Sequence, residues 1–277
     1  MLDTALSFDC AGDTLYGVAS VPAAPALAAA RGVVIVVGGP QYRAGSHRQF
    51  TLLARALAAQ GIAALRFDVR GMGDSEGTAR PFEDIGADLR AAIDAFMAQV
   101  PALREVVLWG LCDGASAAAL YARHDRRVSG LALLNPWVRT EAGAATATIK
   151  HYYRARLFDK AFWHKLASGK FDAGAAVRSA FGLARSAIAA APAASALPDQ
   201  VYQGLAGFDG KLLVMLSGAD LTAQEFADAS TATDAWRRLM AHGRVTRHLL
   251  PGADHTCSRR DWHDQVAAWT ADWLRAW

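Results

Sequence analysis

Cysteine is scarce in this chain: Cys10, Cys112 and Cys257 are the only three in 277 residues. They form neither a disulfide framework nor a paired metal-ligand pattern, so nothing calls for a metal or another cofactor. No apolar run approaches the ~18 residues that span a bilayer. The opening Met1-Leu2-Asp3-Thr4 lacks the basic and apolar regions of a signal peptide, and the chain reads as cytoplasmic. An excess of one charge is missing too. The net charge is +3, with Lys and Arg scattered among acids, which argues against a nucleic-acid-binding face. What remains is 53% hydrophobic and 20% charged residues, enough to bury one large core with room for an insertion.

Thr4–Phe8 and Leu15–Val21, separated by Asp9-Cys10-Ala11-Gly12-Asp13, predict an antiparallel hairpin at a sheet edge. Pro22–Ala30 reads as a linker. Buried strands are expected at Gly32–Val37, Ile62–Phe67, Val106–Trp109 and Val128–Leu134, alternating with helices near Gln49–Gln60, Phe82–Val100 and Ala115–Arg123. That alternation specifies a mostly parallel, doubly wound α/β sheet. Beyond Arg139 it stops, and helical, aromatic-rich sequence runs to about Pro198. The expected division is a core of 1–138 and 206–277, with 139–205 as a helical cap above the carboxyl ends of the strands; ordinary packing helices are the alternative. Strands resume at Lys211–Leu216 and Thr246–Leu250, with a helix around Thr233–His242 between them. Trp262–Trp277 closes the chain as a helix whose Trp262, Val266, Trp269 and Trp273 form a packing stripe.

The most informative stretch is Glu105–Arg123, where a buried strand meets Gly110-Leu111-Cys112-Asp113-Gly114 and then a helix. This is the context of the nucleophile elbow of α/β-hydrolases, with Cys112 where serine usually stands. Glycines are needed on either side because the turn is tight and its backbone strained. Taken alone, Cys112 reads equally well as a small buried residue in an ordinary turn. Two later strands, however, end in Ser217-Gly218-Ala219-Asp220 and Pro251-Gly252-Ala253-Asp254-His255. A thiol nucleophile needs a base, and the base needs a carboxylate to fix its tautomer. Cys112, Asp220 and His255 follow one another in α/β-hydrolase chain order, each just after an expected strand. Asp254 competes for the acid role, but its adjacency to His255 favours Asp220.

The oxyanion donors are expected to be the backbone N–H groups of Asp113 and Gln41, with Gly39 as the alternative to Gln41, since Pro40 cannot donate. Arg43, His47 and Arg48 are candidate contacts to an anionic or sugar-like group, or else solvated loop residues. Trp137, His151, Tyr152 and Trp163 are candidate substrate contacts from the end of the fourth parallel strand and from the cap. Asp68–Ser75, D-x-R-G-x-G-D-S, is expected to brace the site, with Arg70 paired to acids. Cys257 is expected to pack against the closing helix, although its place near His255 leaves a redox bridge to Cys112 open.

Together, Asp68–Ser75, the elbow, Ser217–Asp220 and Pro251–His255 resemble the α/β-hydrolase superfamily over essentially the whole chain. More narrowly, Gly38–Arg48, Arg66–Ser75 and Gly110–Ala117 resemble the exosortase A system-associated hydrolase family, type 1. That resemblance implies a bacterial setting of exopolysaccharide synthesis and protein sorting, and no substrate. Cysteine at the elbow is similar to dienelactone hydrolases and polyhydroxyalkanoate synthases. The function expected is a hydrolase of a small-molecule ester or thioester, acting through a Cys-His-Asp triad and an acyl-enzyme. The alternatives are an acyltransferase to a sugar or alcohol, and a non-catalytic scaffold.

Overall fold

A computed structural model describes residues 1–24, 29–39, 41–139 and 196–277. The chain opens with β1 (Leu2–Cys10) and β2 (Asp13–Val21), paired antiparallel with Cys10 opposite Asp13. Ala11 and Gly12 between them both take positive φ, 55° and 89°. Positive φ at both central residues gives a two-residue turn the twist its flanking strands require.

Beyond the hairpin come β3 (Arg31–Val36), α1 (Gln49–Ala59), β4 (Ala64–Phe67), α2 (Gly86–Gln99), β5 (Glu105–Leu111), α3 (Asp113–Tyr121) and β6 (Val128–Leu134). After the stretch outside the described residues come α4 (Leu197–Ala206), β7 (Lys211–Ser217), α5 (Leu221–Ala232), α6 (Asp234–Met240), β8 (Val245–Leu250) and α7 (Arg260–Arg275). The eight strands form one sheet in the order β1-β2-β4-β3-β5-β6-β7-β8, parallel from β4 to β8.

Alternation along β5 shows why its sequence is apolar throughout. Val106 and Leu108 enter one core with Leu89 and Phe96 of α2, Ala118 of α3 and Leu205 of α4. Val107, Trp109 and Leu111 enter the other, with Phe50, Leu53 and Leu57 of α1 and Val266 and Ala271 of α7. A strand covered on both faces has no polar side to show.

The elements depart from the expected ones at three places. The helix expected over Phe82–Val100 breaks at Ile85, into a single turn at Phe82–Asp84 and then α2. Between β7 and β8, where a single helix around Thr233–His242 was expected, a second one, α5, starts directly after Asp220. Its Asp220 N-cap accepts from the Ala223 N–H at 3.0 Å. Helix α4 begins at Leu197 and buries Val201 and Leu205 in the α2/α3 core, so the core layer resumes inside the stretch assigned to the cap. Cys257 is buried in the α1/α7 core, in keeping with the packing reading. Along α7, Val266 and Trp273 are buried as expected, whereas Trp269 lies at the margin, stacked on His248 at 4.4 Å.

Candidate active site

Cys112 stands between β5 and α3 at φ 58° and ψ −124°, a conformation that costs a non-glycine residue energy and has to be enforced by its surroundings. The enforcement is visible. Cys112 N–H donates to Leu134 O at 3.0 Å, and its carbonyl accepts from Ala115 N, Ser116 N and Trp137 N at 3.1–3.2 Å. A Cβ at Gly110 would lie 2.5 Å from the Gly114 carbonyl group, and one at Gly114 would lie 2.5 Å from Val36 O. Only glycine fits at either position.

Asp220 and His255 converge from the ends of β7 and β8. His255 Nδ1 lies 2.9 Å from Asp220 Oδ2. The Cys112 side chain acts on the same imidazole, favouring its charged form. The Asp220 bond, and after it the neighbouring Cys112 side chain, favour the protonated ring and outweigh burial, so the His255 pKa is pushed up to about 10. Asp254 faces elsewhere: its carboxylate accepts from the N–H and the hydroxyl of Ser258.

Asn135 was not singled out in the sequence. Fully buried at the end of β6 with φ 48°, it donates from Nδ2 to Ser217 Oγ at 2.9 Å and to His255 O at 3.0 Å, and it accepts from Ser217 N at 2.8 Å. It ties the end of β7 to the loop that carries His255. An Asn followed by Pro at a strand end was the available signal.

Around the expected oxyanion donors the structure differs from the sequence reading. Gln41 N–H is spent on Gly39 O at 2.8 Å, within its own turn, and is not aimed at Cys112. The Gly114 N–H instead donates to Asp113 Oδ1 at 3.0 Å, and the amides of Gly39 and of Asp113 itself favour the charged carboxylate. A Cβ on Gly38 would lie 2.0 Å from that same oxygen. The amides form an anion nest, and Asp113 fills it with its own side chain. Burial raises the Asp113 pKa against the pull of those amides.

Arg43 is likewise committed. It pairs with Asp68 and, at 2.8 Å, with Asp74, and it lies over the Tyr42 ring, so its guanidinium is not free for a substrate. His47 is exposed, and Trp137 is part-buried beside the elbow beneath Arg139. His151, Tyr152 and Trp163 lie outside the described residues. Arg70 pairs with Asp88 through Nε at 3.0 Å and NH2 at 2.8 Å, bracing the Asp68–Ser75 turn as expected. Beside the nest a cavity of about 300 Å³ is lined by Val37, Gly39, Met72, Phe82, Ile85 and Asp113. Its walls are largely apolar; Met72 and Phe82 had shown nothing in the sequence to mark them.

A mostly parallel eight-stranded sheet with an antiparallel hairpin at one edge and a strained elbow after β5 defines the α/β-hydrolase fold. Residues 28–180, more than half of the chain, match the family described as serine aminopeptidase, S33, and the chain belongs to that family. Its elbow carries Cys112 where the family description names a serine enzyme. No curated protein matches the sequence. Among solved structures, the Pyrococcus furiosus esterase Pf2001 is similar at TM-score 0.65 and 14% identity, over 100% of this chain and 91% of that one. An α/β serine hydrolase without lid from Xanthomonas campestris is similar at TM-score 0.61 and 18% identity, covering 99% and 94%. Est1E of Butyrivibrio proteoclasticus, solved with ferulic acid, is similar at TM-score 0.62 and 15% identity, covering 98% and 99%.

Proposed function

We propose that this protein hydrolyses a small ester or thioester through an acyl-enzyme on Cys112, with His255 and Asp220 completing the triad. The observation that carries the reading is His255, hydrogen-bonded to Asp220 at 2.9 Å and raised in pKa by it and by the Cys112 side chain at the strained elbow. A His held protonated at neutral pH would be a poor base for a serine hydroxyl. Beside a cysteine, an imidazolium stabilises the thiolate, which is itself the nucleophile.

The Cys112 sulfur attacks the substrate carbonyl carbon, and the carbonyl π pair moves onto oxygen. Backbone amides of the nest receive that oxyanion once the Asp113 side chain swings out. As the tetrahedral species collapses, the bond to the leaving group breaks and His255 protonates the departing alkoxide or thiolate. His255, now neutral, takes a proton from water. The hydroxide attacks the thioester carbon, and the carboxylic acid leaves as the Cys112–His255 pair is restored. The apolar cavity beside the nest suits an acyl group rather than a polar one. The motif segments Gly38–Arg48, Arg66–Ser75 and Gly110–Ala117 extend the proposal to an exopolysaccharide or exosortase setting.

The test is steady-state kinetics on a panel of acyl esters and thioesters. Cys112→Ala is expected to lose turnover while keeping its folded circular dichroism. Cys112→Ser is expected to fall by ~10²-fold or more, because His255 must then deprotonate a much weaker acid. Full activity in Cys112→Ala would overturn the proposal.

A further inference from the structure

Among the described residues, the cavity beside the nest is lined by one acid, Asp113, and one base, Arg80, in otherwise apolar surroundings. Arg80 is spent at the surface, where its NH1 pairs with Asp84 at 2.9 Å. The Asp113 carboxylate is served by backbone instead. Gly114 N–H donates to Oδ1 at 3.0 Å, and the amides of Gly39 and of Asp113 itself favour the charged form. Oδ2 lies toward Gly39, 3.5 Å from where a Cβ of that residue would stand.

The same amides cannot serve two anions. In the acyl-enzyme reaction proposed above, on which this inference rests, they turn to the substrate oxyanion. The displaced carboxylate then faces the apolar walls of Val69, Met72 and Phe82. A carboxylate in such surroundings needs replacement hydrogen bonds, because burying a charge without them is costly. Neither those walls nor Arg80 supplies one. The molecule that displaces the carboxylate can.

That requirement describes the substrate. The donor has to lie close to the reacting carbonyl, since the carboxylate starts from the amides that the carbonyl oxygen takes over. A cationic donor is disfavoured: His255 is positively charged at neutral pH and already acts on Asp113, so it would repel a second cation there. A hydroxyl on C2 or C3 of the acyl group donates without adding charge, and the rest of the chain covers the apolar walls.

We propose that Asp113 is a specificity-determining residue that accepts a hydrogen bond from a hydroxyl on the acyl group, so that the site selects 2- or 3-hydroxyacyl esters and thioesters over plain acyl ones. The hydroxyl takes the carboxylate as the carbonyl oxygen takes the amides. No bond to Asp113 is made or broken other than these hydrogen bonds.

The test is kcat/KM of the full chain on thioesters of one thiol carrying butyryl, 2-hydroxybutyryl, 3-hydroxybutyryl or 3-aminobutyryl groups. One of the two hydroxy thioesters is expected to be favoured over butyryl by roughly tenfold or more, the worth of a hydrogen bond to a charged group. In Asp113→Ala that preference is expected to collapse, with hydroxyacyl turnover slower and butyryl turnover faster. The intrinsic reactivity of each thioester is the same for both enzymes, so the change in ratio isolates the carboxylate. Asp113→Asn, which keeps an acceptor oxygen without the charge, is expected to fall between them. Equal kcat/KM for hydroxyacyl and butyryl groups, a ratio unchanged in Asp113→Ala, or faster turnover of the amino thioester would each overturn the inference and leave the acyl-enzyme on Cys112 standing. Failure of every thioester to acylate Cys112 would instead remove that reading, and this inference with it.

Discussion

Asp113 is the residue whose side chain most changes how the site is read. Its backbone N–H is the obvious oxyanion donor from its position after the elbow residue, but its carboxylate lies beside the nest and holds the Gly114 N–H at 3.0 Å. A charge-assisted hydrogen bond is worth about 1.5–3 kcal/mol net, so clearing the nest for a substrate carries a cost of that order. Asp113→Ala is therefore expected to raise kcat/KM on activated esters by up to roughly tenfold, one such bond's worth of barrier. A loss of activity in pre-steady-state acylation would instead assign the carboxylate a part in the chemistry. Asn135 is the complementary case, a residue that touches no substrate but holds the His255 loop to β7. Truncating it strands the Ser217 N–H and the His255 carbonyl, and each unpaired buried group costs about 1–3 kcal/mol. Asn135→Ala is expected to lose about 2–5 kcal/mol in urea unfolding. Asn135→Asp, which keeps an acceptor for Ser217 N–H, is expected to lose less.

At the scale of elements, Asp220 shows why one residue was legible in one role and hidden in another. Its place after β7 identified it as the triad acid, yet it is also the N-cap of α5, whose Leu-Thr-Ala-Gln-Glu-Phe-Ala-Asp sequence carries too weak an apolar stripe to announce a helix. The two roles separate by substitution. Asparagine caps a helix about as well as aspartate but carries no charge, so Asp220→Asn should keep α5 and lose the ion pair. The pH dependence follows with a definite sign. Because His255 is raised from 6.5 to about 10, its ion pair contributes stability that is fully present below pH 6.5 and is lost as pH rises through about 10. Leaving-group protonation in acylation needs the same imidazolium, so kcat/KM is expected to hold through neutral pH and fall with a midpoint near 10. In Asp220→Asn the strongest cause of the raised value is gone, so that limb should move to lower pH and the rate should drop ~10²–10⁴-fold. An unmoved alkaline limb in the pH–rate profile would count against Asp220 as the partner. The remaining departures share a reason. Gln41's amide, the Arg43 pairs with Asp68 and Asp74, and the break at Ile85 are set by contacts tens of residues away or by local turn geometry, which composition and spacing do not encode.

The whole molecule explains why so much else could be read. A sheet buried on both faces demands near-continuous apolar strands, and a doubly wound order places every strand's carboxyl end at one edge. Chain order alone therefore brings Cys112, Asp220 and His255 to the same rim, although 142 residues lie between the first and the last. The glycines at 110 and 114 were equally legible, because backbone already occupies the space a side chain would need. Two cavities then flank that rim on opposite faces of the sheet, one beside the nest and one behind the His255 loop. The central claim is that the thiol at the elbow carries the acyl group. Intact-mass spectrometry after brief exposure to activated acyl esters tests it directly, with peptide mapping of the modified site. The expected result is one added acyl group, on Cys112, formed rapidly in the native protein, slowly in His255→Ala and not at all in Cys112→Ala. An acyl group mapped to Cys10, Cys257 or a serine, with Cys112 unmodified and turnover proceeding, would contradict it.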